Sequence, residues 1–120
     1  MLDQAAASKA IVEAAYGEHA LALLGGHRIL AYRIEGDYQG SVQVLAENET
    51  GEGFYRYLLI VWDWGSCEVC DEWQRLSPEE ISQEMRKVAA TFEDEEQLIA
   101  FLGGAPAYEA LRSYRPEGTS

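Results

Sequence analysis

The spacing of apolar and polar positions changes twice along the chain, dividing it into a helical start, a strand-rich middle and a helical end. Ile11, Val12, Ala15 and Tyr16 make an apolar stripe at helical spacing, within a run whose alanines (Ala5, Ala6, Ala7, Ala10, Ala14) favour helix strongly. Gly17 weakens that helix, which is expected to resume over residues 18–24 and to stop at Gly25-Gly26, as a left-handed cap would. From His27 the period falls to two. Leu30, Tyr32 and Ile34 alternate with Ala31, Arg33 and Glu35, and Val42, Val44 and Ala46 alternate with Gln43, Leu45 and Glu47. Gly36-Asp37 offers a turn between these two strands. A third strand is expected over 54–64, with Phe54, Leu58, Ile60, Trp62 and Trp64 on one face and Tyr55, Tyr57, Leu59 and Val61 on the other.

Both faces of that third strand are apolar, so it needs cover on both sides. A sequential three-strand meander would put the second strand in the centre instead. Either the strand order is not sequential or an oligomer covers the third strand. After it the period returns to helical. Ser77-Pro78-Glu79-Glu80 fits a capping box with proline at the first helical position, and Ile81, Met85, Val88 and Ala89 form the stripe behind it. Residues 92–96 open a short helix buried through Leu98, Phe101 and Leu102 and capped at Gly103-Gly104; residues 106–114 suggest a third. The expected fold is one α+β domain over 1–120: an N-terminal helix, a three-stranded antiparallel sheet and short C-terminal helices, with 113–120 a frayed tail.

Charge changes the picture of partners. The chain carries a formal charge of −12, and residues 64–102 hold ten acids against Arg75, Arg86 and Lys87. Direct binding to nucleic acid needs clustered Lys and Arg and is disfavoured. An acidic face suits a protein with a basic surface, of which nucleic-acid-handling proteins are the commonest. No apolar run reaches membrane-spanning length, and the first residues lack a signal peptide's basic start and apolar stretch, so a cytoplasmic protein without membrane association is expected.

Candidate chemistry concentrates in residues 62–73, which hold both cysteines, all three tryptophans and four of the acids. Three readings compete. Cys67 and Cys70 have the spacing of two metal ligands, and a zinc site would have to be completed by His19 and His27, whose spacing matches no familiar module. A strand, a tryptophan, Cys-x-x-Cys and a helix also resemble thioredoxin, yet no later strand pair or proline loop faces the cysteines, and the flanking acids disfavour thiolates. In the third reading the segment is a rigid loop presenting a docking patch: Trp62, Trp64 and Trp73 ringed by Glu68, Asp71 and Glu72, extended by Glu79, Glu80 and Glu84. No phosphate-binding glycine loop is present, no Ser/His/Asp order stands out, and no catalytic residue is assigned.

Trp64-Gly65-Ser66-Cys67 and Cys70-Asp71, after an aromatic strand preceded by Tyr38-Gln39-Gly40, resemble a group of small uncharacterised bacteriophage proteins with an aromatic-Gly-Ser-Cys-x-x-Cys-Asp core. An acidic helix and a Phe-containing segment follow that core in the group, matched here by Phe92, Leu98, Ile99, Phe101 and Leu102, so the likeness spans about residues 38–102. Its members carry small residues between the cysteines, where this chain has Glu68-Val69. The resemblance implies a phage or prophage setting, hence a host cytoplasm, and little else; small acidic phage proteins often act on host machinery by binding it. The expected function is therefore binding of a host protein, with occlusion of a basic nucleic-acid-binding surface as one form of inhibition. The alternative is a small zinc protein or metal-dependent enzyme using Cys67 and Cys70, and a homo-oligomer is a third role.

Overall fold

A computed structural model describes residues 2–36, 39–65 and 72–114. Its elements in chain order are α1 (Gln4–Glu13), α2 (Gly17–Leu23), β1 (His27–Gly36), β2 (Gly40–Asn48), β3 (Tyr57–Trp64), a 3-10 turn (Glu72–Arg75), α3 (Pro78–Val88), β4 (Ala90–Phe92), α4 (Glu95–Leu102) and α5 (Ala105–Ser113). The α+β class is as expected. The count of strands is not: four strands pair antiparallel in sequential order β1-β2-β3-β4.

That fourth strand resolves the conflict over the third. Ala90, Thr91 and Phe92 pair with Leu59, Leu58 and Tyr57, so β3 is an interior strand of a sequential sheet. Neither a crossed strand order nor an oligomer is needed to cover it. Helices complete the cover in three layers. Ile11 from α1, Ala20 from α2, Leu24 just past it and Met85 from α3 pack on Val42, Val44, Ile60 and Trp62. Leu98, Tyr108 and Leu111 from α4 and α5 pack on Ala31, Leu45, Leu59 and Phe92 from the other side.

Local signals behave as their chemistry dictates. Asp3 caps α1 through Ala5 and Ala6, and Ser77 and Glu80 close the reciprocal capping box on α3. The break at Gly17 is steric: a Cβ there would collide with the carbonyl of Ile11, because the chain doubles back over the end of α1. Tyr16 takes a left-handed conformation, φ 65°, to make that reversal.

Three expectations shift by one element or one residue. A bulge between Ile29 and Ala31 sends Leu30 to the α4–α5 face, away from Tyr32 and Ile34. β3 starts at Tyr57, leaving Phe54 in the preceding loop and 96 % exposed. Ser113 closes α5, and Tyr114 is docked: its hydroxyl donates to the Ile34 carbonyl at 2.8 Å. With Gln4, whose amide exchanges two 2.8 Å hydrogen bonds with the Ile29 backbone, Tyr114 occupies part of the outer edge of β1.

Candidate functional site

The candidate segment begins at the end of β3, where the three tryptophans part company. Trp62 is core. It is 3 % exposed, and its indole N–H donates to the Ala15 carbonyl at 2.7 Å, tying the sheet to the α1–α2 corner. It presents no surface to a partner, which removes it from the docking patch. Trp73, half-buried in the 3-10 turn, meets Tyr16 edge to face at 5.3 Å and supports the left-handed residue of the same corner. Trp64, also half-buried, stays at the boundary with solvent.

Trp64 owes its position to Gly40 on the neighbouring strand. The two are register partners, and a Cβ on Gly40 would stand 2.5 Å from Trp64 Cζ2, so the indole lies across a gap that only glycine leaves. Beside it opens a cleft of about 660 Å³ between the C-terminal end of α1, the end of β1 and Tyr114. Its walls include Glu13, Ala14, Tyr32, Ile34, Trp64 and Tyr114. Tyr32 and Tyr114 meet edge to face with centroids 6.0 Å apart. Among the described residues neither Lys nor Arg lines the cleft, and the last turn of α1 carries no basic residue.

Sequence reasoning singled out Trp64 from this cleft and missed Glu13, Tyr32 and Tyr114. Tyr32 reads as one residue of an alternating strand, Tyr114 falls where a short helix is expected to give way to a frayed tail, and nothing in the sequence pattern singles out Glu13. Only their meeting in space marks them. The exposed aromatics Phe54 and Phe101, the latter 61 % exposed against Phe92, were likewise expected to be buried.

The remaining sequence candidates fall in separate places. Glu68, Asp71, Cys67 and Cys70 lie outside the described residues, and Glu72 opens the 3-10 turn. His27 Nδ1 is 2.9 Å from the Gly25 carbonyl, which can only accept, so that nitrogen is the donor, and Nε2 is 2.9 Å from Tyr55 Oη. His19 Nδ1 is 3.0 Å from Ser82 Oγ on α3. The two imidazoles are thus engaged with different neighbours, and no group of three metal-ligating side chains occurs among the described residues. His19 does share a groove of about 360 Å³ with Glu79.

Charges sort into compensated and uncompensated sets. On the sheet, Arg28 donates to Glu47 at 2.7 Å, and Arg56 approaches the same carboxylate at 3.2 Å. The Arg28 hydrogen bond holds the Glu47 carboxyl below its ordinary range; burial opposes this and Arg56 reinforces it. On α5, burial and then a hydrogen bond to Glu95 push the Tyr108 hydroxyl above its ordinary value. On the helices the acids are mostly bare. Glu84 meets Lys87 at 3.1 Å across solvent, and Glu80 is spent on the capping box. Glu79, Glu93 and Glu96 are exposed and make no ion pair among the described residues.

No helix among the described residues is long and apolar enough to cross a membrane. Comparison of the chain with protein-family models, with curated proteins and with solved structures finds no match.

Proposed function

We propose that this protein works by binding a partner protein with a basic surface, a host protein in the phage setting suggested by residues 38–102, and that it covers a surface the partner uses for nucleic acid. The observation that carries this reading is the excess of uncompensated carboxylate on the helices that flank β4. Residues 79–96 hold Glu79, Glu80, Glu84, Glu93, Asp94, Glu95 and Glu96 against Arg86 and Lys87 alone. The acids at the starts of α3 and α4 are exposed, so their field reaches solvent undiminished by pairing. Such a field steers a cationic surface into contact and resists a phosphate backbone. Among the aromatic candidates, Trp64 and Trp73 are half-buried, whereas Trp62 serves the core.

The test is capture from a bacterial lysate on immobilised protein, with the recovered partner then titrated at rising salt. Affinity should fall by about tenfold or more between 0.1 and 0.5 M salt, because screening shortens the reach of surface charge. Replacing Glu79, Glu80, Glu95 and Glu96 together by glutamine should abolish binding without unfolding the chain, since glutamine also serves the capping box at position 80. Binding that ignores salt and survives those substitutions would refute the charge-based reading.

A further inference from the structure

The sheet has two outer edges, and the chain treats them differently. At β1, the Gln4 amide and the Tyr114 hydroxyl take up backbone groups of Ile29 and Ile34. At β4, no described residue pairs with the outer side. The Phe92 carbonyl faces β3, where it accepts from the Arg56 N–H at 2.9 Å. Backbone groups alternate along a strand, so the N–H and C=O of Thr91 point the other way, and Thr91 is exposed. The Glu93 N–H is already taken by Gln97 Oε1 at 3.0 Å, so the open edge is short and centres on the donor and acceptor of Thr91. Two features lie beside it. Phe101, 61 % exposed, rests against Phe92 with ring centroids 5.2 Å apart. Glu93 and Glu96 are exposed and make no ion pair among the described residues. Arg86 and Lys87 precede β4, and Lys87 is met by Glu84 at 3.1 Å; counting both cations, residues 84–96 still carry five acids against two.

We propose that the outer edge of β4 pairs with an extended, lysine- or arginine-bearing segment of the partner, which adds a fifth strand beside Thr91. The proposal rests on the basic-partner reading and names the contact within it. Backbone pairing at Thr91 supplies two hydrogen bonds. Alternate side chains of the added strand reach the face where Phe92 and Phe101 lie, and an apolar one there covers the exposed ring. Glu93 and Glu96, which follow β4, favour cations at the same end of the segment. A second copy of this chain brings the same free edge, but two chains of −12 repel each other.

The probe is the blocked heptapeptide Lys-Val-Lys-Val-Lys-Val-Lys, titrated into isotope-labelled protein and followed by backbone NMR shifts and amide exchange. It should shift Thr91, Glu93 and Phe101 saturably and slow exchange of the Thr91 N–H by about tenfold at saturation. The same peptide N-methylated at every residue keeps its charge and side chains but has no N–H to pair, and should bind about five- to tenfold more weakly. Phe101→Ser, at an exposed position, should weaken the parent peptide by about three- to tenfold. Equal binding of the N-methylated peptide, or shifts that leave Thr91 unmoved, would overturn the proposal. So would protection of Thr91 that grows with protein concentration alone, which would assign the edge to a second copy. Charge and strand pairing separate this inference from the reading beneath it. If the lysine peptide and its N-methylated form bind alike and both weaken with salt, the edge proposal falls and the basic-partner reading stands. If a peptide with threonine in place of lysine protects Thr91 equally well, strand pairing at β4 stands and the basic-partner reading falls.

Discussion

The two faces of the sheet begin alike and end differently. On the face under α1–α3, the cross-strand rows run Ile29–Ala46–Leu58, Tyr32–Val44–Ile60 and Ile34–Val42–Trp62, apolar throughout. The next row is Gly36–Gly40–Trp64, where side chains vanish on two strands and the indole spreads across the gap. On the face under α4–α5, the apolar row Ala31–Leu45–Leu59 gives way to Arg33–Gln43–Val61 and then to Glu35–Ser41–Asp63. One face stays apolar to its end and opens a cleft there; the other turns polar and meets solvent. The same three strands, read one residue apart, therefore border a cleft on one side and a hydrated surface on the other.

The sharpest way to break this comparison is to exchange its two tryptophans. Trp62→Ala leaves a cavity under α1 and strands the Ala15 carbonyl, so it should destabilise the protein by about 3–5 kcal/mol in urea unfolding. Trp64→Leu, two residues on and half-buried, should cost about 1–2 kcal/mol. Equal losses would mean that Trp64 belongs to the core as fully as Trp62 does.

Tyr114→Phe comes next. It removes the hydroxyl that fastens the C-terminal end of α5 to β1, and should cost about 1 kcal/mol with the ring still in place. A loss far below this would mean that the ring alone holds that wall of the cleft.

A smaller effect depends on acid. Glu47 has its carboxyl pKa depressed in the folded state, so its contribution to stability is complete above the unfolded value of about 4.3 and is lost as pH falls through the lower folded value. Comparing wild type with Glu47→Gln, the gap in urea midpoint should be widest near neutrality and should close in that acidic window. A gap that persists unchanged at acid pH would assign the effect to packing and not to the Arg28–Glu47–Arg56 cluster.

The smallest effects are expected on the polar row of the other face. Glu35→Gln and Asp63→Asn should each change stability by less than about 0.5 kcal/mol, because both carboxylates face solvent. A large loss from either would show that the hydrated half of that face has a structural duty.

Much of the fold was legible because its signals are local. The capping box at Ser77, the break at Gly17 and the two-sided pattern of β3 each depend on residues within a few positions of one another. What was not legible depended on partners far away. Ala90, Thr91 and Phe92 are too few to show a period, and they become a strand only because Tyr57, Leu58 and Leu59 offer an edge. Leu30 reads as an ordinary alternating residue until the bulge reverses it. Phe54 reads as the start of a strand until the register places that start at Tyr57.

The candidate site divides in the same way. Its sequence mark was the density of tryptophan, cysteine and acid over residues 62–73, and that mark drew attention to the end of β3 without distinguishing core from surface. The chain by itself determined the order of the helices and of the first three strands, the caps between them, and a net charge of −12. Only tertiary structure decided that Trp62 is buried and Trp64 lines a cleft, and that Glu13, Tyr32 and Tyr114 join it there. The reason is physical: periodicity and capping energies act over one or two turns of chain, whereas a cleft is the space left where separate elements stop covering one another.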